Sequence, residues 1–398
     1  MSPDDARARW AGSGALALTG DAAGPELVAP RGTVERIVAL GAALGVDALA
    51  LLVERAAVAG LSRRGAVSCG GATRLLPVGG GGWLAVSLAR PDDVDLVPAW
   101  LGLAGPPADV WAAVATAARG APDAAALAAA GAGLGLAVGA LPRSPPEAAG
   151  AGVAEPVVAE RVGEAPPLAG RPLVVDLSSL WAGPLCTRLL GERGSRVVKV
   201  EATGRPDGAR QGPPAFFDLL HAGQRSVALD FRDPAGLDRL RRLVGAADVV
   251  VEASRPRALA QLGIAPAGQR VWLSITGHGR TGAAADRVAF GDDAAVAGGL
   301  VAWGGDGRPR FVADAVADPL TGLAAAGAVT AALAAGGRWR LDAALSRVAA
   351  AVAGTDAGAT WAPARPGEAV APVAPRPRGR APDLGADTGG VLAELGIG

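Results

Sequence analysis

The chain has 398 residues, half of them hydrophobic and 19% charged, with a formal net charge of zero at pH 7. This composition is typical of a globular protein of two or three domains with a large buried core. Because there is no basic excess to hold a phosphate backbone, no nucleic-acid partner is expected. Two cysteines and two histidines are too few for a disulfide framework or a cysteine/histidine zinc site, so no metal is expected either.

The expected location is the cytoplasm, without membrane association. The opening MSPDDARARW carries acidic residues where a signal peptide has basic ones, and no apolar run follows it. A long uncharged stretch, 124–141, is nearly all Ala and Gly, and predicts a helix followed by a short buried strand rather than a membrane span. Two cysteines without a partner framework fit a reducing compartment.

The first part of the chain has a mixed pattern. Residues 1–141 combine amphipathic helices, predicted around 33–59 and 108–130, with a strand near 83–88. The following stretch, 142–170, is rich in Pro, Ala and Glu without clear periodicity, and predicts a linker.

Residues 171–353 alternate short valine-rich runs with helical segments. The predicted strands share β-branched residues and lie at 172–177, 196–201, 225–230, 247–252 and 270–275. Strands of this kind, separated by helices, predict the α/β class, with an open parallel sheet covered by helices. Residues 354–398 are rich in Pro and Gly, and predict an extended tail that ends in a short helix.

The most informative segment is FVADAVADPLTGLAAAG, residues 311–327. Asp318 precedes Pro319 and a run of good helix formers, which predicts Asp318 as the N-cap and Pro319 as the first helical residue. There the helix dipole and free N–H groups would keep the carboxylate ionised at neutral pH, as a nucleophilic carboxylate requires. Asp318 is therefore either an ordinary cap or the reacting group of an enzyme.

Two common enzyme classes fit poorly. The first predicted strand is followed by SSLWAGPLC, with a single Gly183 and no G-x-G-x-x-G, although Glu201 lies roughly where a ribose-binding carboxylate would. The missing glycines disfavour a nicotinamide enzyme. A serine hydrolase is disfavoured because no G-x-S-x-G elbow exists for His221 or His278 to serve.

Other polar residues have an ordinary interpretation beside a functional one. Asp292 and Asp293 precede a small-residue helix, where capping and first-turn charge explain them adequately. His278 follows a predicted strand directly, at the end where open α/β sheets bind ligands. Arginines in or beside loops of the predicted sheet are Arg205, Arg210, Arg225, Arg255 and Arg257. They suit a ligand with several phosphates, or are solvated surface.

Five segments of the chain occur in the order and spacing of one known family. They are VVDLSSLWAGPLCTRLLGERGSRVVKVE, FFDLLHAGQRSVALDFRDPAG, ADVVVEASRPRALAQLG, VWLSITGHGRTG and VADPLTGLAAAGAVTAAL, all within residues 172–335. In these segments the chain resembles the family III CoA-transferases, which include formyl-CoA:oxalate and carnitine CoA-transferases and, as a relative, α-methylacyl-CoA racemase. The tail PRPRGRAPDLGADTGGVLAELG is similar to the C-terminus of that family.

The resemblance implies a Rossmann-like CoA-binding domain with a smaller α+β domain, and a homodimer acting on acyl-CoA and carboxylic acids. It places the nucleophilic aspartate of the family on Asp318, which would move CoA from a donor to an acceptor acid through an aspartyl anhydride and thioester. It implies that CoA is bound by Trp181, Ala182, Lys199, Glu201, Arg205, Arg225, Arg255, Gly277 and His278.

The order of the parts departs from the family. The segments SCGGATRLL (68–76) and GGGGWLAVSLARPDD (79–93) resemble the glycine-rich loop and small domain, which normally come later in the chain. We therefore expect a rearranged member, with the loop at 68–72 as the lid that shields the anhydride from water.

The racemase relatives provide an alternative function. They carry Gly-His-Asp where this chain has Gly291, Asp292 and Asp293. The missing histidine disfavours racemisation, which needs bases on both faces of the α-carbon. An acyl-CoA racemase or epimerase and an inactive CoA-binding protein both stay open as alternatives to the transferase.

Overall fold

The computed structural model describes residues 1–142, 155–168, 170–254 and 256–398. Its α-helices are α1 (Pro3–Gly12), α2 (Arg31–Ala42), α3 (Ala48–Leu51), α4 (Glu54–Ala59), α5 (Pro91–Leu101), α6 (Val110–Gly120), α7 (Ala124–Gly133), α8 (Ala182–Glu192), α9 (Pro214–His221), α10 (Pro234–Ala246), α11 (Pro256–Gln261), α12 (Gly291–Ala297), α13 (Ala317–Ala335), α14 (Leu345–Ala353) and α15 (Thr388–Glu394).

The β-strands are β1 (Leu27–Val28), β2 (Thr73–Pro77), β3 (Trp83–Ser87), β4 (Ala137–Ala140), β5 (Val157–Gly163), β6 (Leu173–Leu177), β7 (Arg196–Ala202), β8 (Arg225–Leu229), β9 (Val249–Glu252), β10 (Val271–Thr276), β11 (Ala302–Trp303), β12 (Pro309–Arg310), β13 (Arg338–Ala344) and β14 (Ala362–Pro363).

The chain divides into two units, neither of which is continuous in sequence. The first, which we call the aspartate unit, comprises Met1–Pro156, Arg287–Leu320 and Leu345–Ala374. The second, the sheet unit, comprises Val157–Asp286, Thr321–Ala344 and Pro375–Gly398. The consecutive regions predicted from the sequence differ from these units, because composition changes along the chain do not report which distant segments pack together.

The sheet unit is built on a seven-stranded sheet in the order β5-β13-β10-β9-β6-β7-β8. All strands except β5 run parallel, and β5 pairs antiparallel with β13 at one edge. Buried valines such as Val175, Val198 and Val250 fill its core, each contributing about 1.5–3 kcal/mol relative to an exposed side chain. The predicted α/β fold is confirmed, and each of the five predicted strands is present.

The chain order reverses at the middle of this sheet. From β6 the chain proceeds through β7 and β8 to one edge, and then from β9 through β10 and β13 towards the other. Open α/β sheets bind ligands outside the carboxyl ends of the strands at such a reversal. The carboxyl ends of β6 and β9 are therefore where a ligand site is expected.

Both edges of the sheet contain segments whose sequence gives little strand signal. Val157–Gly163 forms β5, although the sequence predicts a linker over 142–170, of which residues 143–154 and 169 lie outside the described residues. Most β5 side chains are exposed, so hydrophobic alternation is missing. At the other edge, Asp387 and Thr388 accept hydrogen bonds from the N–H groups of Ser226 and Ala228 in β8. The C-terminal segment with α15, the helix predicted there, thus satisfies an exposed strand edge.

In the aspartate unit, β2, β3 and β4 form an antiparallel sheet. The helices predicted over 33–59 and 108–130 are each interrupted, since Asp47 caps α3 and Asp123 caps α7 through their side-chain oxygens. A capping aspartate favours a new helix start over continuation of the old one.

One helix has the length and composition of a membrane span. Among the described residues only α13 passes that test, with a mean hydropathy of 1.3, and 61% of this window is buried inside the protein. Burial of this kind is typical of a core helix. The first turn of α13 carries the polar residues Asp318 and Thr321.

Gly139 of β4 allows α12 to lie close to the sheet. A Cβ at this position would come within 2.4 Å of the backbone oxygen of Asp293 and 3.2 Å of the Cβ of Ala297. The absence of a side chain here therefore sets the distance of α12 from β4.

We predict that Gly139→Ala lowers the free energy of unfolding by about 1–3 kcal/mol, because the added methyl overpacks this contact. The control is Gly133→Ala in α7, where a Cβ meets nothing within 4 Å; it should change stability by less than about 1 kcal/mol. Urea unfolding followed by tryptophan fluorescence measures both. Equal stability of the two variants would contradict the packing argument.

Candidate active site

Asp318 lies in the first turn of α13, which begins at Ala317, two residues earlier than the predicted first helical residue Pro319. Its backbone N–H donates to the oxygen of Ala315 at 2.9 Å. The residue as a whole is partly exposed, and its carboxylate accepts no hydrogen bond from any residue that the structure describes. The interpretation of Asp318 as an ordinary N-cap is therefore wrong, because a cap side chain would accept a backbone N–H.

Three further aspartates and one arginine surround Asp318 in the aspartate unit. We call Asp292, Asp293, Asp314 and Asp318 the aspartate cluster. Asp314 is fully buried and forms a bidentate ion pair with Arg55, with Nε–Oδ2 at 2.8 Å and Nη2–Oδ1 at 2.5 Å. Such a pair is among the strongest side-chain interactions in proteins, because two parallel N–H groups meet two carboxylate oxygens.

The two adjacent aspartates of α12 have different partners. Asp292 Oδ1 accepts the N–H of Ala315 at 3.1 Å. Asp293 Oδ1 accepts the Oγ–H of Ser87 at 2.7 Å and the N–H of Phe290 at 3.0 Å. Asp293 Oδ2 is buried and has no hydrogen-bond partner among the described residues. The capping interpretation from sequence therefore applies to Asp293, whereas Asp292 holds a distant part of the chain.

The cluster shifts the protonation of its members. Burial raises the pKa of Asp318 to about 7; the charge of Arg55 opposes this shift, and those of Asp292, Asp293 and Asp314 add to it. Burial also raises the pKa of Asp292 and of Asp293 to about 7. The expectation that the helix start keeps Asp318 fully ionised at neutral pH is wrong, because desolvation and three nearby carboxylates outweigh the dipole and Arg55. These groups titrate together around neutrality.

The turn that precedes α13 is strained. Ala313 has φ of +48° and Ala315 has φ of +43°, left-handed conformations that cost a non-glycine residue about 1–3 kcal/mol each. The N–H of Ala313 donates to Thr19 Oγ1 at 3.0 Å, and the N–H of Ala315 donates to Asp292. Strain of this kind is found at functional sites, where surrounding contacts hold the backbone in place.

The glycine-rich loop at 68–72 lies against the same turn. Burial raises the pKa of Cys69 far above its ordinary value, so its thiol stays neutral, and Sγ donates to the backbone oxygen of Ala313 at 3.2 Å. The N–H of Gly71 closes the loop onto the oxygen of Ser68 at 2.8 Å. The loop is thus anchored beside the segment that leads to Asp318, and its role as a lid stays a prediction.

In the sheet unit, several residues expected to bind CoA follow the carboxyl ends of parallel strands. Trp181 and Ala182 begin α8 after β6, and Trp181 packs edge-on against Phe216 with ring centroids 5.3 Å apart. Arg205 follows β7 and is exposed, while Gly277 and His278 follow β10. The fold places all of them at the edge of the sheet where the chain reversal favours a ligand.

Lys199 and Glu201, by contrast, are committed to contacts within the sheet unit. Lys199 is 1% exposed, and its Nζ donates to the oxygen of Ser178 at 2.6 Å and to Asp207 Oδ2 at 2.8 Å. Burial opposes its charge, but Asp176 and Asp207 outweigh burial and raise the pKa of Lys199. Glu201 Oε2 accepts Arg210 Nη2 at 2.6 Å. These contacts support a structural role, so we do not propose either side chain as a direct CoA ligand.

One of the expected arginines, Arg225, does not join the carboxyl edge. Arg225 is the first residue of β8, at the opposite end of the strand, where its Nη1 lies 2.5 Å from Glu394 Oε2 of α15. That position conflicts with the expected contact to CoA, since ligands bind at the carboxyl ends. The side chains of Arg255 and Arg257 lie outside what the structure describes.

Sequence reasoning missed Arg55, Thr19 and Arg280. Arg55 and Thr19 lie more than 250 residues from their partners Asp314 and Ala313, so no local pattern connects them. Arg280 Nη1 donates to the buried Glu252 Oε1 at 2.6 Å, at the carboxyl ends of β9 and β10. A signal for this pair exists, because Glu252 ends an otherwise apolar strand and a buried carboxylate requires a partner.

Comparisons with known proteins concern mainly the second half of the chain. A family model described as CoA-transferase family III matches residues 169–384. A succinyl-CoA:glutarate CoA-transferase of Mus musculus is 34% identical over 177 residues, 40% of this chain and 40% of the relative. A formyl-CoA:oxalate CoA-transferase of Rhodopseudomonas palustris is 33% identical over 176 residues, 40% and 41% of the two chains. The chain thus spans less than half the length of these curated relatives.

A solved structure also matches in part. The crystal structure of a CAIB/BAIF family protein from Brucella suis is 31% identical, with a TM-score of 0.43 over 46% of this chain and 55% of that chain.

The raised pKa of Asp293 gives a testable pH dependence of stability. Folding raises this pKa from 3.8 to about 7, so between these values the folded state holds a proton that the unfolded state has lost. Asp293 therefore lowers stability progressively as the pH rises from about 4 to about 7, and by a constant amount above.

Asp293→Asn cannot ionise and keeps an oxygen for Ser87. We predict that the free energy of unfolding of this variant, relative to that of the wild type, increases by about 2–3 kcal/mol when the pH is raised from 5 to 8. Urea unfolding at the two pH values measures the change. The exposed Asp95→Asn in α5 serves as the control and should show no such difference. A relative stability of Asp293→Asn that stays constant or falls with pH would contradict the prediction.

Proposed function

Because the chain belongs to CoA-transferase family III, we propose that it moves CoA from an acyl-CoA donor to an acceptor carboxylic acid through covalent intermediates on Asp318. The family assignment follows from the match of its model to more than half of the chain. The reaction of the whole protein, its mechanism and its site residues are our proposal.

The observation that carries the proposal is the carboxylate of Asp318. It is the partly exposed member of a cluster whose other aspartates are buried, and no described residue donates a hydrogen bond to it. A nucleophile needs a lone pair that the protein leaves available, and a fixed direction of approach. The first turn of α13 and the strained turn before it fix that direction.

The proposed reaction takes four steps. A carboxylate oxygen of Asp318 attacks the thioester carbonyl of the donor, which gives an acyl–aspartyl anhydride and the CoA thiolate. The thiolate attacks the aspartyl carbonyl, so that the donor acid leaves as its carboxylate and Asp318 carries CoA as a thioester. The acceptor carboxylate attacks this thioester, and the thiolate finally attacks the acyl carbonyl of the new anhydride. The products are the acceptor CoA ester and free Asp318, with no net proton transfer.

The raised pKa of Asp318 fits this chemistry. With its pKa raised to about 7, Asp318 has its ionised form available around neutral pH. A more basic carboxylate is also a stronger nucleophile than one with an ordinary pKa, because nucleophilicity rises with basicity. No histidine is needed at this site, since no general base takes part in the attack.

We propose that CoA binds at the carboxyl edge of the parallel sheet. The candidates there are Trp181 and Ala182 after β6, Arg205 after β7, and Gly277 and His278 after β10. Arg205 is exposed and offers a bidentate donor for a phosphate group, and the glycines of the β10 loop allow backbone to approach a ligand. A cytoplasmic homodimer remains the form in which we expect the enzyme to act.

The relatives suggest which acids to assay first. Their names specify succinyl-CoA with glutarate, and formyl-CoA with oxalate. We therefore propose small acyl-CoA donors and short carboxylic acids as the substrate class, with these pairs as the first panel.

We predict that Asp318→Asn abolishes transfer, by at least about a thousandfold, because the amide cannot form the anhydride. CoA binding should be unchanged, because Asn keeps the size of the side chain. The wild type should form a CoA adduct on the peptide containing Asp318 when it is quenched with acyl-CoA, detected by mass spectrometry. The exposed Asp92→Asn of α5 is the control and should react like the wild type.

Three outcomes separate the alternatives. Transferase activity retained in Asp318→Asn would refute the assignment of the nucleophile. Entry of solvent deuterium at the α-position without an acceptor acid would indicate a racemase or epimerase. CoA binding without adduct or label exchange would indicate an inactive binding protein.

We also predict that kcat/KM rises about tenfold per pH unit at acidic pH and levels off above about 7, the pKa of Asp318. The sign follows because only the ionised carboxylate attacks the thioester. Initial rates of transfer between pH 5 and pH 9 measure the profile. A plateau that already begins near pH 4 would show that Asp318 has an ordinary pKa.

A further inference from the structure

The contacts around Asp318 form a continuous chain that starts at Asp292. Asp292 Oδ1 accepts the N–H of Ala315 at 3.1 Å. The oxygen of Ala315 in turn accepts the N–H of Asp318 at 2.9 Å. Ala315, a residue in the left-handed conformation, therefore links the two aspartates. Its N–H binds the side chain of Asp292, and its oxygen binds the backbone of Asp318.

Without Asp292, the backbone around Ala315 would have a conformation of lower energy available to it. A non-glycine residue at a φ of +43° relaxes unless external contacts hold it. On the other side of the turn, Asp314 is clamped by Arg55 and the N–H of Ala313 by Thr19. Asp292 supplies the side-chain contact to Ala315, the residue whose oxygen accepts the N–H of Asp318.

Gly291, the residue before Asp292, has no side chain, and the carboxylate of Asp318 occupies the space where a Cβ would lie. A Cβ on Gly291 would lie 2.6 Å from Asp318 Oδ2 and 2.2 Å from the oxygen of Ala315. The start of α12 therefore meets both the carboxylate of Asp318 and the peptide that precedes it. Any shift of α12 or loss of its contact to Ala315 moves the group that attacks the thioester.

We propose that Asp292 is the positioning residue of Asp318: it fixes the strained turn 313–315 and thereby aims the nucleophile. The proposal rests on the proposed function, and adds a second residue to the reaction. Asp292 acts through the backbone and need not touch the substrate.

The charge of Asp292 gives this role a distinct readout. The charged and titratable groups around Asp318 are Arg55, Cys69, Asp292, Asp293 and Asp314. Among these, Arg55 favours the ionised form of Asp318, the aspartates oppose it, and the thiol of Cys69 stays neutral. Removing the charge of Asp292 lowers the pKa of Asp318, whereas removing its oxygen releases the turn.

Two variants at one position separate these effects. Asp292→Asn keeps an oxygen for the N–H of Ala315 and loses the charge; Asp292→Ala loses both. We expect Asp292→Ala to lower kcat about a hundredfold with KM for acyl-CoA changed less than about twofold, since misplacement of a reacting group affects the chemical step. We expect Asp292→Asn to restore kcat to within about tenfold of the wild type and to move the acid limb of kcat/KM to lower pH.

The control is Asp93→Ala in α5. Asp93 is buried, and pairs with Arg90 at 2.5 Å elsewhere in the aspartate unit, so its loss measures general destabilisation. It should leave kcat and the pH profile unchanged. Equal kcat in Asp292→Ala, Asp292→Asn and the wild type, or an unshifted acid limb in Asp292→Asn, would overturn the proposal.

A second measurement does not depend on CoA transfer. Carbodiimide labels protonated carboxyl groups, and the label on the Asp318 peptide can be followed by mass spectrometry against pH. The midpoint of labelling should lie lower in Asp292→Asn than in the wild type, with Asp93→Ala at the wild-type value. If the wild type transfers no CoA but this midpoint moves, the proposed function fails and the coupling of Asp292 to Asp318 stands. If transfer occurs and the midpoint does not move, only the role of Asp292 fails.

Discussion

The ion pair between Arg55 and Asp314 is the interaction on which the candidate site depends. Four aspartates gather within one unit of the protein, and bringing carboxylates together out of water is unfavourable unless a cation or a proton compensates. Arg55 supplies the cation, and the raised pKa values of Asp292, Asp293 and Asp318 show that protons supply the remainder. The pair also fixes the middle of a strained turn, so that charge compensation and backbone geometry are coupled at one place.

This coupling explains how Asp318, whose carboxylate accepts no hydrogen bond from the residues that the structure describes, can still be held in position. The direction of Asp318 is set by its backbone, through Ala315 and α13, rather than by contacts to its carboxylate. The carboxylate is thus left available to react. A raised pKa follows from the same arrangement and makes the group a better nucleophile once it is ionised.

The sheet unit shows a different use of buried charge. Lys199, Asp207 and Glu201 with Arg210 are satisfied within the protein, and they stabilise the loop that leads to the exposed Arg205. Polar residues beside a predicted ligand edge are thus of two kinds, those that shape the edge and those that face it. Sequence position alone does not separate them, because both follow the same strands. Burial separates them, since a fully buried ammonium cannot reach a phosphate.

The sequence by itself determined the α/β class and the five valine-rich strands, and it singled out Asp318 as a candidate, because strand periodicity, turn residues and motif order are local properties. It also identified Asp293 as a cap. Only the tertiary structure decided that Asp318 is not a cap, that burial raises its pKa to about 7, and that Arg55 and Asp292 lie near it. These properties depend on desolvation and on contacts between distant segments. Arg55 and its partner Asp314, for example, lie more than 250 residues apart. Such contacts leave no periodic pattern in the sequence, because the residues around one partner do not depend on the residues around the other.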